Sequence, residues 1–187
     1  MTIDIDELKK LTSEYGGEWG VNHAKRIVHL VSVIGEELRY DASVIEIAAY
    51  LHDWGGYSKW AVAGTDHAVL SAQVVAAYAK EHKWPEETTG PVLECILRHH
   101  TGGEGRIIES VLFTDADALD LIGVIGFARI FSMWPKNLKG AVDSVKKWRA
   151  QTLSVIQNPK AKELAEARVS ETDKLLARFE EEAFGAY

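Results

Sequence analysis

The sequence predicts an all-α fold. Apolar residues recur at three- and four-residue spacing along nearly the whole chain, and no convincing run of alternating apolar and polar residues marks a strand. The four prolines, Pro85, Pro91, Pro135 and Pro159, are expected between the periodic segments, where a missing amide N–H does least harm. The periodicity places helices near 4–15, 19–39, 42–53, 66–82, 90–100, 106–132, 138–157 and 160–183. With 187 residues, 47% of them hydrophobic and 26% charged, the chain is expected to form one domain spanning 1–187.

The first predicted helix, 4–15, is acidic and amphipathic. It lacks the basic and then apolar pattern of a signal peptide. In the second, "NHAKRIVHLVSVIGEEL", the apolar stripe runs Ile27, Leu30, Val31, Ile34, Leu38; His23 falls on it and His29 on the opposite face. In the third, "ASVIEIAAYLHD", the stripe Val44, Ile45, Ala48, Leu51 continues into His52. Asp53 is turned one residue further, where Gly55 and Gly56 release the helix. An irregular stretch, 54–66, follows.

In the helix at 66–82, His67 shares a face with Leu70, Val74 and Ala77, whereas His82 drifts off it near the end, where a capping role suits it. In "PVLECILRHH", His99 and His100 flank the face of Val92 and Ile96. A second loop, "TGGEGR", leads to 106–132, a run apolar on all sides except for Asp115, Asp117 and Asp120. Asp115 shares a face with Val111, Leu119 and Ile122, and Asp117 the opposite face with Phe113, Leu121 and Val124; periodicity does not choose between them. The last helix, 160–183, is highly charged with an amphipathic stripe, suited to packing on the body of the domain or on a second copy in a homodimer.

Five of the seven histidines thus point inward from four helices. One histidine on an apolar face is usually a hydrogen-bonded core residue, but five together require a common cause. Neutral imidazole is a metal ligand, and a buried carboxylate beside it needs a counter-charge. A divalent cation satisfies both. Imidazole and carboxylate without thiolate suit Mn²⁺, Ni²⁺, Co²⁺, Fe²⁺ or Zn²⁺.

The ordered set "HAKRI" at 23–27, "LHD" at 51–53, "HAVLSA" at 67–72, "ILRH" at 96–99 and "DADALDLIGVIGFAR" at 115–129 resembles the HD-domain superfamily of metal-dependent phosphohydrolases. The likeness covers about 20–132 and fades after 135. It implies an HD-domain helical bundle, with the helices at 138–183 as C-terminal additions. It also implies that His23, His52, Asp53 and Asp117 hold one metal, Asp117 because the superfamily's last aspartate sits in "A-D-x-L". His67 and His99 match positions that hold a second ion in two-metal relatives, and His100 matches an "HH" pair in some of them. Catalytic roles would fall to Asp53, His67 and His99, the histidines exchanging a proton where they hold no metal. Arg26 and Arg129 match family arginines that serve phosphate binding or helix packing, and Lys59 is a further candidate cation. Ala118 departs from the pattern, which is often basic there.

The expected activity is hydrolysis of a phosphate ester or pyrophosphate bond in a small phosphorylated substrate, a nucleotide foremost. The alternatives are a di-iron oxygenase and a catalytically silent nucleotide-binding regulator. The net charge of −7, from 28 acidic and 21 basic residues, disfavours a nucleic-acid polymer. No stretch approaches the roughly 20 apolar residues of a membrane span, and the single Cys95 excludes an internal disulfide and suits a reducing interior, so the cytoplasm is the expected location.

Overall fold

The computed structural model describes residues 3–187, and all regular structure among them is helical. The chain divides into two compact units, one ending at Thr114 and the other running over Asp115–Tyr187.

The first unit opens with α1 (Ile5–Ile34), in which the two predicted helices are joined across a kink at Gly17. Asp4 caps it by accepting from the Glu7 N–H at 3.1 Å. α2 (Ala42–Leu51) is capped by Asp41 and ends with His52 still in helical conformation. A single 3-10 turn, Trp54–Gly56, opens the irregular stretch. α3 (His67–Glu81) is capped by Asp66, and α4 (Glu86–Arg98) begins four residues before its predicted start. Within the unit α1 packs on α2, α2 on α4, α4 on α3, and α3 on the 3-10 turn. The apolar faces meet in a core that includes Leu8, Ile27, Val31, Ile45, Leu51, Val92 and Ile96.

Three expectations from the sequence differ from the structure. Pro91 lies inside α4 rather than before it. Its ring would clash with the side chain of a preceding helical residue, and that residue is Gly90, which has none. Likewise, 106–132 is not one helix: α5 (Ile108–Asp120) and α6 (Gly123–Met133) are separated by a break at 121–122. Gly123 stands at φ 79°, a left-handed conformation costly for any residue with a Cβ, so the backbone turns there although the apolar period runs on. The predicted helix 19–39 also stops early, at Ile34, where Gly35 donates to the Val31 carbonyl.

In the second unit α6, α7 (Leu138–Val155) and α8 (Pro159–Ala183) pack together. Ile130, Val142, Val145 and Leu176 form the centre, with Phe127, Phe131, Trp148 and Phe179 against them. The charged C-terminal helix is therefore packed on α6 and α7 through its narrow apolar stripe. Pro159 occupies the first helical position, where its missing N–H has no intrahelical partner to lose. Among the described residues no helix is long and apolar enough to cross a membrane.

Candidate metal centre

The end of α2 brings His52 and Asp53 to the side of His23 on α1. His23 Nε2 lies 3.2 Å from His52 Nε2, and Asp53 Oδ2 lies 3.8 Å from His23 Nε2 and 3.4 Å from His52 Nε2. The other Asp53 oxygen, Oδ1, faces His67 Nε2 at 3.5 Å. His67 in turn stands 3.2 Å from His99 Nε2 and 2.8 Å from His100 Nε2. Two sets of donor atoms result, His23/His52/Asp53 and His67/His99/His100, each within 4.8 Å internally. The Asp53 carboxylate reaches both.

Two of the rings have a defined tautomer. His52 Nδ1 donates to the Ala49 carbonyl at 2.9 Å, and His99 Nδ1 to the Ile96 carbonyl at 2.6 Å. A carbonyl only accepts, so Nδ1 carries the proton and the neutral ring offers a bare lone pair at Nε2. Both lone pairs point into the cluster. Two donors each about 2.1 Å from one ion stand about 3.0–3.4 Å apart, close to the Nε2–Nε2 and Nε2–Oδ2 separations here. The donor set therefore fits a divalent cation. His23, His52 and His99 are buried, while the side chains of Asp53 and His67 are 26% and 37% exposed, so the cluster opens to solvent on their side. His29 and His82 are exposed, as their faces predict, and His82 stacks on Tyr78 at 3.9 Å between centroids.

Backbone contact sets the spacing between Asp53 and His67. A Cβ on Gly55 would lie 2.5 Å from both the His67 carbonyl oxygen and the Ser71 nitrogen. The first turn of α3 thus rests directly on the chain two residues after Asp53, and the Gly55 N–H donates to Ser71 Oγ at 2.8 Å. The glycine after "HD" and the serine in "HAVLSA" are one latch. Its signal was present in the motifs, but its purpose was not.

The three buried aspartates have different surroundings. Asp115 accepts from the backbone N–H groups of Gln157 at 2.9 Å and Asn158 at 2.6 Å, at the junction of α7 and α8. Asp120 is ion-paired with Arg129 within the second unit. Asp117 is buried at 4% exposure on α5. Of the nominated cations, Arg129 thus has a buried carboxylate partner. The Lys59 ammonium lies 3.8 Å from the Tyr15 ring centroid and 4.7 Å from that of Trp60, and Trp60 stacks on Trp54. Arg26 is half-buried on α1, one turn beyond His23.

Sequence reasoning passed over Arg106, which stands in the loop after His100. Its guanidinium donates to the Thr101 carbonyl at 2.7 Å and to the Ser110 carbonyl at 2.6 Å. An arginine in a glycine-rich loop carries no periodic signal, and only the folded loop reveals what it grips.

Comparison with known proteins assigns the family and supports the fold. The model of the HD domain family matches residues 20–122, a little over half of the chain. Bacillus subtilis YpgQ is 31% identical over 128 residues, which span 65% of this chain and 59% of YpgQ. Ribonuclease Y of Thermoanaerobacter pseudethanolicus is 29% identical over 110 residues, 59% of this chain but 20% of the ribonuclease. The crystal structure of YpgQ in complex with ADP matches over 97% of this chain and 95% of that one, at 24% identity and a TM-score of 0.70. A predicted HD-superfamily hydrolase from an uncultured Thermotogales bacterium matches over 95% and 90%, at 23% identity and a TM-score of 0.65. These likenesses in structure speak to the fold. The family match spans more than half of the chain and includes the His52–Asp53 pair and the histidines on either side of it, and the chain belongs to the HD domain family.

Proposed function

We propose that this protein is a metal-dependent phosphohydrolase acting on a phosphate ester or pyrophosphate bond of a small molecule, a nucleotide foremost. One observation carries the reading: the Asp53 carboxylate stands between two sets of imidazoles, one oxygen turned to each. His23, His52 and Asp53, with Asp117 from α5, would hold one divalent ion, and His67, His99 and His100 a second. Such an ion supplies Lewis acidity toward phosphoryl oxygens and lowers the pKa of water from 15.7 to about 7.

The chain's own residues do the rest. The Ala49 and Ile96 carbonyls hold the His52 and His99 rings in one tautomer and one orientation. Burial of His23, His52 and His99 keeps water off one side of the site, so that charges there are weakly screened. His67, on the open side, is placed to exchange a proton with a nucleophile or leaving group when it holds no metal. Arg26 and Lys59 are the proposed phosphate cations; the Asp120 ion pair favours the packing role for Arg129. The ADP complex of YpgQ supports a nucleotide as the substrate class. We read the chain as one functional domain, with the ligands in about 20–132 and the helices at 138–183 completing it.

The same bridging carboxylate also suits a two-iron centre, and hence an oxygenase, which would announce itself by a visible absorption spectrum once loaded with iron. A silent regulator would bind nucleotide and turn over none with any metal. The deciding experiment is elemental analysis of protein purified without added metal, wild type beside Asp53→Ala and Asp117→Ala. The same samples then meet nucleotides and a short single-stranded RNA with Mn²⁺, Ni²⁺, Co²⁺ or Mg²⁺. Bound metal with nucleotide turnover, both lost in the two variants, supports the hydrolase. A wild type that holds no metal and cuts nothing overturns it.

A further inference from the structure

We propose that Arg106 is a positioning residue that clamps the His99–His100 dipeptide against His67. The inference rests on the reading of His67, His99 and His100 as a metal-holding set. Arg98 ends α4, and His99, His100 and Thr101 follow it. The Arg106 guanidinium reaches the carbonyls on both sides of the two histidines: Nη1 donates to Thr101 O at 2.7 Å, and Nη2 lies 3.3 Å from Arg98 O. The last carbonyls of a helix lack intrahelical donors, and a cation there also meets the negative end of the helix dipole.

The clamp is anchored at its other end. Nη2 donates to the Ser110 carbonyl at 2.6 Å, and Nε to Ser110 Oγ at 3.1 Å. Ser110 and Thr114 are both buried on α5, and Thr114 Oγ1 donates to the same Arg98 carbonyl at 3.1 Å. The loop itself is tied back to α4 by the Ile107 N–H, which donates to Glu94 Oε1 at 3.0 Å. The two imidazoles that meet His67 are thus bracketed by carbonyls held from one rigid planar group. A lysine keeps the charge but is a point donor on a flexible stem. It cannot hold Thr101 and Ser110 in fixed relation at once.

The test compares wild type with Arg106→Lys and Arg106→Met in two measurements. The first is amide hydrogen exchange in metal-free protein, with the Thr101 N–H, bonded to the Arg98 carbonyl at 3.0 Å, as reporter. Exchange over 99–102 should quicken in both variants; unchanged exchange overturns the proposal. The second is Co²⁺ titration followed by visible absorption, which reports ligand geometry. Outer-shell partners of metal ligands are worth about 10–100-fold in affinity, so one site should weaken at least tenfold with an altered spectrum while the other stays within twofold. Equal weakening of both sites, or of neither, assigns Arg106 a general structural role and overturns the proposal. Should Arg106→Met fail to fold, Arg106→Lys decides. A wild type that takes up no Co²⁺ defeats the metal reading of the site, and the exchange result then decides on Arg106 alone.

Discussion

Asp53 is the residue on which the proposed site turns, because its two oxygens face different imidazole sets. Asp53→Asn keeps the shape and removes the charge that a shared pair of cations would require. Bound metal is expected to fall at both sets, and turnover by about 100-fold or more, since even outer-shell changes cost 10–100-fold; metal analysis and initial rates check this. Asp115 and Asp117 separate by role. Asp115 binds two backbone N–H groups at the α7–α8 junction, so Asp115→Ala is expected to cost about 3 kcal/mol of stability, read by urea unfolding. Asp117→Ala is expected to spare more of that stability and lose metal. Periodicity put these two aspartates on opposite faces without ranking them, because it reports which face is buried and not which donors a carboxylate finds there.

At the scale of elements, the position of α3 decides whether His67 meets Asp53. A methyl group on Gly55 would press on two backbone atoms of α3, which cannot swing aside as a flexible side chain can. Gly55→Ala is therefore expected to cost about 1–3 kcal/mol and to lower metal content together with the melting temperature. α2, which delivers His52, depends on its cap. Asp41 accepts from the Ser43 hydroxyl at 2.6 Å and the Ser43 N–H at 2.8 Å, and that hydroxyl bond chiefly holds its carboxyl below the ordinary value of 3.8. A lowered carboxyl contributes stability above its unfolded value and loses it as pH falls through the folded one. Asp41→Ala should thus cost about 1 kcal/mol at neutral pH, and the gap from wild type should close below about pH 4. Paired urea titrations at pH 7 and pH 3 would measure both. The capping aspartates, which sequence reasoning did not single out, stand directly before their helices; the latch of Gly55 on Ser71 joins positions 16 apart and leaves no such local signal.

For the whole molecule, stability is expected to fall on the alkaline side. Burial pushes the Cys95 thiol well above its ordinary value of 9.0 and the Tyr50 phenol above 10.0, each being nearly inaccessible to water. For a raised group of this kind the contribution is whole below the unfolded value and is lost as pH rises toward the folded one. The urea midpoint should hold from pH 7 to about 9 and decline beyond it, and Cys95→Ala should lessen the decline while lowering the midpoint at neutral pH. A midpoint that stays level to pH 10.5 would contradict the assignment.

The sequence by itself determined that the chain is helical and that His23, His52 and His99 lie on buried faces; it misjudged α3, whose buried residues are Ala68, Ser71, Val75 and Ala79 rather than Leu70, Val74 and Ala77. Both determinations follow from period and residue type, which act locally along one helix at a time. The tertiary structure decided what depends on a partner elsewhere: that Asp53 is shared by two imidazole sets, that Asp115 serves a helix junction, and that Arg106 brackets His99 and His100. A hydrogen bond or a close backbone approach is specified to a few tenths of an ångström between residues distant in the chain, and the spacing of apolar residues carries no record of it.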